Sequence, residues 1–156
     1  MDRVIFQSRL TDVTSDRKDP LGALRCENGV WYKYVQLKNV TATVAGVAGD
    51  PVSYFALTGV VSGQVVLDVS DADAQPVGAG LLLTTVAGVA GTSYYCWVQI
   101  SGVAIVPTAV TSGVLGSDCM PGGDKTLVVR TGVIHGCAVL VSASGANNKV
   151  LCRFPF

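Results

Sequence analysis

The chain has 156 residues, 49% of them hydrophobic, and its 11 Lys and Arg balance 11 Asp and Glu to a net charge of +0. That length makes one domain able to bury about 70% of the surface of its unfolded chain without disulfides or metal. The balance argues against the non-specific nucleic-acid binding that depends on a basic face. The charge is also uneven: 12 charged residues lie between Asp2 and Lys38, no Lys or Arg occurs from Asn39 to Asp124, and Ala74 to Ser117 has no charge of either sign. A β-rich body so poor in charge covers its surface against other protein, which puts an assembly component ahead of an isolated enzyme.

In chain order, residues 1–20 read as an extended N-terminal arm and 21–156 as a single β domain. The arm runs through Arg3, Arg9, Asp12, Asp16, Arg17, Lys18 and Asp19 with no apolar run of the secretory-signal kind. Within it, Val4 to Leu10 reads either as a strand of the body, with Val4, Phe6 and Leu10 on one face, or as a docking segment. The two runs Ala23 to Glu27 and Val30 to Val35 flank Asn28-Gly29, a pair that tolerates positive φ and suits a type I′ hairpin turn. That turn places Cys26 opposite Trp31 and Arg25 opposite Tyr32. Further strands are expected at Val52 to Leu57, Gly63 to Val69, Gly80 to Thr84, Tyr94 to Ile100, Gly102 to Val106, Thr126 to Arg130, Val133 to Val141 and Lys149 to Phe154. Ser70 to Ala74 is the one place for a helical turn, and an ordinary turn fits it equally. The fold expected is all-β, a single-domain β-sandwich or β-barrel-like body with an extended N-terminal arm. Val44-Ala45-Gly46-Val47-Ala48-Gly49 recurs letter for letter at Val86 to Gly91, as two loops packing on a neighbour or two similar turns.

The chemical motifs are sparse. Val77 to Ile105 is the only stretch long enough to ask about a membrane span, and Gly, Thr, Ser and Gln interrupt it throughout. The five cysteines, Cys26, Cys96, Cys119, Cys137 and Cys152, form no Cys-x-x-Cys pair and read as small apolar filler, with bridges or a metal site as alternatives. His135, the only histidine, lies between Ile134 and Gly136 with no acidic neighbour in sequence, which suits a structural histidine better than a general base. Asp68, Asp71 and Asp73 resemble part of a calcium loop but lack its Gly and distal Glu, so a solvated acidic turn is favoured. No catalytic residue, cofactor site or metal site is assigned. Tyr94 to Gln99 puts Tyr95, Trp97 and Gln99 on one strand face, either as a core strand or as a face buried between subunits. The tail residues Phe154 and Phe156 require cover from their own core or from a neighbour. Tyr95, Trp97, Gln99, Phe154 and Phe156 are therefore the subunit-interface candidates.

The hairpin segment Leu21 to Val35, the strand Tyr94 to Ala104 and the Gly136-Cys137-Ala138 strand resemble head decoration proteins of tailed bacteriophages, also called capsid cement proteins. The similarity extends over most of Leu21 to Leu151. It implies a non-enzymatic all-β subunit, made in the host cytoplasm, that sits as a homotrimer or homodimer on the outer surface of the virion's icosahedral capsid. There it binds the major capsid protein and stabilises its lattice, with neither nucleic acid nor membrane as partner. Arg3, Phe6, Arg9, Arg17 and Lys18 of the arm are the candidates for capsid contact. The alternative is a tail- or fibre-associated receptor-binding β domain.

Overall fold

The computed structural model describes residues 5–38, 44–55, 63–68, 72, 76–110, 112–130, 136–142 and 147–155. Eleven strands follow in chain order: β1 (Leu24–Glu27), β2 (Val30–Lys38), β3 (Pro51–Tyr54), β4 (Gln64–Val66), β5 (Gly78–Leu82), β6 (Ser93–Gln99), β7 (Ser101–Val106), β8 (Asp118–Gly123), β9 (Thr126–Val129), β10 (Ala138–Ser142) and β11 (Asn148–Arg153). No helix occurs among the described residues, so the fold is all-β. Arg3, Val4, Ser70, Asp71, Asp73, Ala74, His135 and Phe156 lie outside the described residues, and with them the proposed helical turn and the start of the strand expected at Val133.

The first hairpin forms as its sequence dictates. Asn28 and Gly29 both take positive φ, +52° and +79°, and the strands pair Arg25 with Tyr32 and Cys26 with Trp31. From there β2 continues into a ring. It pairs antiparallel with β6 and parallel with β4, and β3 and β5 complete the circuit in the order β2-β4-β3-β5-β6. The result is a closed five-stranded barrel with β1 attached to it through β2. Strands β7-β11-β10-β8-β9 form a second sheet, which the chain enters by bending between β6 and β7. Gly102 has a φ of +83° at that bend, and the Ile100 N–H bonds to the Trp31 carbonyl at 2.9 Å.

Residues directly opposite in the β2–β6 pair share a face, so the register assigns sides: Val35 with Cys96 and Lys33 with Val98 on one, Tyr34 with Trp97 and Gln36 with Tyr95 on the other. Both sides are buried at mid-strand, which explains why β2 and β6 lack polar alternation. Val35, Leu37, Val52, Val65, Leu82 and Val98 belong to a core cluster that runs on through Cys119, Leu127, Leu140 and Val150 of the second sheet. Phe154 and Cys137 close against Gly78, where a Cβ would come within 3.1 Å of both. The Lys33 ammonium is buried as well and donates to the Tyr54 hydroxyl at 2.6 Å.

Two sequence expectations fail here. β8, with the sequence Asp-Cys-Met-Pro-Gly-Gly, was absent from the expected strands because Pro and paired Gly weaken a ladder. It forms because β9 and β10 pair with it from both sides, with a register irregularity at Pro121/Gly123. The extended arm is also unsupported: residues 5–10 contain no strand, and residues 5–20 lie against the barrel as a strap, Thr14 bridging to Tyr95. The repeated hexapeptides meet each other, Gly46 and Val86 exchanging backbone bonds of 3.0 and 2.9 Å.

Gly49 ties this loop pair to the second sheet. Its φ is +89°, its N–H donates to the Leu82 carbonyl at 2.8 Å, and an added Cβ would lie 2.2 Å from the Ile105 carbonyl oxygen. Gly49→Ala is predicted to cost about 2 kcal/mol or more, because backbone cannot yield as a side-chain tip does. Gly91→Ala, at φ +73° with nothing within 4 Å, should cost only about 1 kcal/mol. Urea denaturation of both variants checks the difference, read as a lower midpoint at constant slope.

Candidate interaction surface

The strap is fastened by one buried polar network. Asp19 accepts the Gln7 N–H at 2.9 Å, the Ser8 N–H at 3.1 Å and the Ser8 hydroxyl, while Ser8 Oγ in turn accepts the Trp97 indole N–H at 2.9 Å. Phe6 meets the Trp97 ring edge-on, with centroids 5.1 Å apart and planes at 89°. The Arg25 guanidinium stands over both rings at 5.4 and 5.9 Å, bonds to the Ser8 carbonyl at 3.1 Å and pairs with Glu27. The Lys18 N–H reaches the Tyr34 hydroxyl at 3.2 Å. Buried donors left without acceptors are costly, and this set satisfies them jointly.

This arrangement redistributes the sequence candidates. Phe6, expected at the capsid, and Trp97, expected between subunits, touch each other within the chain. Trp97 is 0% exposed and Phe154 is buried in the core, so neither offers area to a second subunit. Gln99 is buried too, its amide donating to the Ser101 and Val103 carbonyls at 2.9 and 3.1 Å. Tyr95 stays half-buried, stacked on Tyr34 with ring centroids 6.5 Å apart. Arg9, Arg17 and Lys18 remain exposed on the strap. Arg3 and Phe156 lie outside the described residues.

All five cysteines are free thiols, and only Cys26 is exposed. Burial pushes the Cys96 and Cys152 thiols up to about 12 and raises those of Cys119 and Cys137, with neighbouring Asp118 adding to the rise in both. Thiolate is the reactive form, so these four are inert at neutral pH. Among the described residues, no group of three or more His, Cys, Asp or Glu could hold a metal ion.

Among the described residues, the outer face of the second sheet is largely aliphatic. The strand registers align Val103 of β7 with Leu151 of β11 and Val139 of β10, and Ile105 with Lys149 in the adjacent row. On this face Val103 is 58% exposed, Ile105 54%, Val141 44% and Leu151 39%, and Leu115 stands 67% exposed beside it on the loop that bonds to Leu140. Single exposed aliphatics are ordinary, but a contiguous set across three adjacent strands marks an interaction surface. A second feature is an open groove of about 610 Å³ along the edge strand β1, lined by Phe6, Leu24, Arg25, Cys26, Glu27 and Trp31. The aliphatic face was not among the sequence candidates, and of the groove lining only Phe6 was. The alternation in Ser101 to Val106 and Asn148 to Arg153 carried the signal, but only pairing of those strands puts their outer residues side by side.

Asp19→Ala is predicted to lower stability by about 2–4 kcal/mol, because several buried donors lose one acceptor. In a Trp31→Phe background the Trp97 emission should shift to the red as the strap loosens; unchanged emission and unchanged melting would contradict the network. At pH 8, where raised thiol pKa values keep the buried groups protonated, a soluble disulfide reagent should titrate one thiol per chain in the native protein and five in denaturant.

Compared with models of protein families, with curated proteins and with solved structures, the chain matches none of them.

Proposed function

We propose that the chain is a head decoration protein of a tailed bacteriophage, a non-enzymatic subunit that binds the outer surface of the icosahedral capsid and braces its lattice of major capsid protein. The observation that carries this reading is the aliphatic face across β7, β11 and β10, a surface built to be covered by protein. The sequence likeness of Leu21 to Leu151 to that family supports it, as does the charge-free stretch from Ala74 to Ser117. The action is mechanical. Each bound subunit buries area across a junction between shell proteins, and rupture of the shell must first break those contacts. Buried area alone fixes no affinity, but repetition over a lattice supplies avidity. Self-assembly as a homotrimer, with a homodimer second, multiplies the contacts made by each particle. The place of action is the outside of the virion.

The groove along β1 favours one other reading, a receptor-binding domain of a tail or fibre, since an exposed Trp31 beside Arg25 and Glu27 is the kind of surface that holds a polar, ring-bearing ligand. Co-sedimentation separates the two. The purified protein should pellet with expanded, undecorated phage heads to saturation and leave bacterial cells unlabelled, and light scattering at micromolar concentration should give the mass of three chains. Binding to cells without binding to heads would overturn the decoration reading in favour of the receptor one.

A further inference from the structure

The charge on the second sheet is not balanced as the whole chain is. From Ala74 to Phe156 the sequence has four cations, Lys125, Arg130, Lys149 and Arg153, and two carboxylates, Asp118 and Asp124. All the strands of the second sheet come from this stretch. Three of the cations border the aliphatic face. Lys149 stands exposed at the Asn148 end of the middle strand β11, opposite Ile105 of β7 and Ser142 of β10, while Arg130 and Arg153 lie 3.5 and 3.6 Å from the one carboxylate of that border, Asp118. The side chains of Arg130 and Arg153 remain 40% and 57% exposed, so each keeps surface open to a further anion beside its pairing with Asp118.

This arrangement selects the occupant by charge. A second copy applied to the same face about a two-fold axis would set Lys149 and Arg153 of one chain among the same cations of the other, with Asp118 the one carboxylate of that border to offset them, and like charges at a rim oppose docking. Resting on the reading that the chain binds a shell of other protein, we infer that the β7-β11-β10 face seats on an apolar strip of the shell subunit edged by Asp and Glu carboxylates, with Lys149 and Arg153 as its rim cations. Val103, Ile105 and Leu151 fill the centre, where exclusion of water gives affinity; the cations fix register and speed encounter. Binding should therefore weaken with salt, the signature of exposed charge pairs.

The test uses full-length protein and expanded, undecorated phage heads. Lys149→Glu should weaken binding at least about tenfold and flatten its salt dependence, while Lys149→Arg retains it. Val103→Thr with Ile105→Thr, which keeps β-branched side chains at exposed positions, should weaken binding by about tenfold or more with the fold intact by circular dichroism. A zero-length carbodiimide should join the Lys149 amine to an Asp or Glu of the shell subunit, and that product should vanish in Lys149→Arg. If the wild-type chain binds heads and these variants bind equally well, this face is not the contact and the inference falls while the decoration reading stands. If the Thr pair instead dissolves an oligomer formed without heads, the face joins copies of the chain and the inference is equally overturned. If the wild-type chain does not bind heads at all, both readings fail together.

Discussion

Closure of the barrel at β2 is the constraint on which the rest of the structure depends. A sheet of five short strands has two edges, each with a row of backbone donors and acceptors, and closure removes both. Here a single long strand does so, with β6 along one side and β1 followed by β4 along the other. The parallel β2–β4 pair is the only parallel pairing among the described residues, and it is the seam that turns a meandering antiparallel sheet into a ring. With the ring shut, Val35, Leu37, Val65 and Val98 face a common interior. The outer wall then becomes a surface that must itself be covered.

Two pieces of chain cover that wall, by different chemistry. The second sheet does so with apolar contact, bringing Phe154 and Cys137 against Gly78. The strap does so with polar groups, since Tyr34 and Trp97 present a hydroxyl and an indole N–H that need partners when buried. Ser8 Oγ, itself held by Asp19, and the Lys18 N–H are those partners. The concentration of charge at the front of the chain thus has a structural use: one carboxylate, Asp19, is buried to hold the strap, and the neighbouring Arg17 and Lys18 stay in solvent.

The cover stops at the outer face of β7, β11 and β10. Inward residues of these strands, Val106, Val150, Cys152 and Leu140, are buried in the common core, while the alternates pointing outward are mostly aliphatic, Val103, Ile105, Val141 and Leu151, with Lys149 and Arg153 beside Leu151 on β11. A solvated sheet face ordinarily carries polar residues at such positions. The departure costs solubility unless a partner covers it, and in the proposed docking Lys149 and Arg153 would give that partner its orientation.

The all-β class, the Asn28-Gly29 hairpin with its register and most of the strands were legible because period, turn chemistry and β-branched content are local properties. The strand β8 was not, because Pro121 and the glycines after it oppose a strand locally and only flanking β9 and β10 stabilise one. The strap was not, because Phe6, Ser8 and Asp19 acquire their meaning from Trp97, 89 residues beyond Ser8. For the same reason Trp97, which read equally as core or as subunit interface, is buried within its own chain, and the proposed interaction surface lies on residues that read as plain strand alternation. Composition and local pattern determined that this chain folds as β structure with a charge-poor body; which faces are covered and which remain open was decided by tertiary pairing, because burial belongs to a residue's neighbours in space.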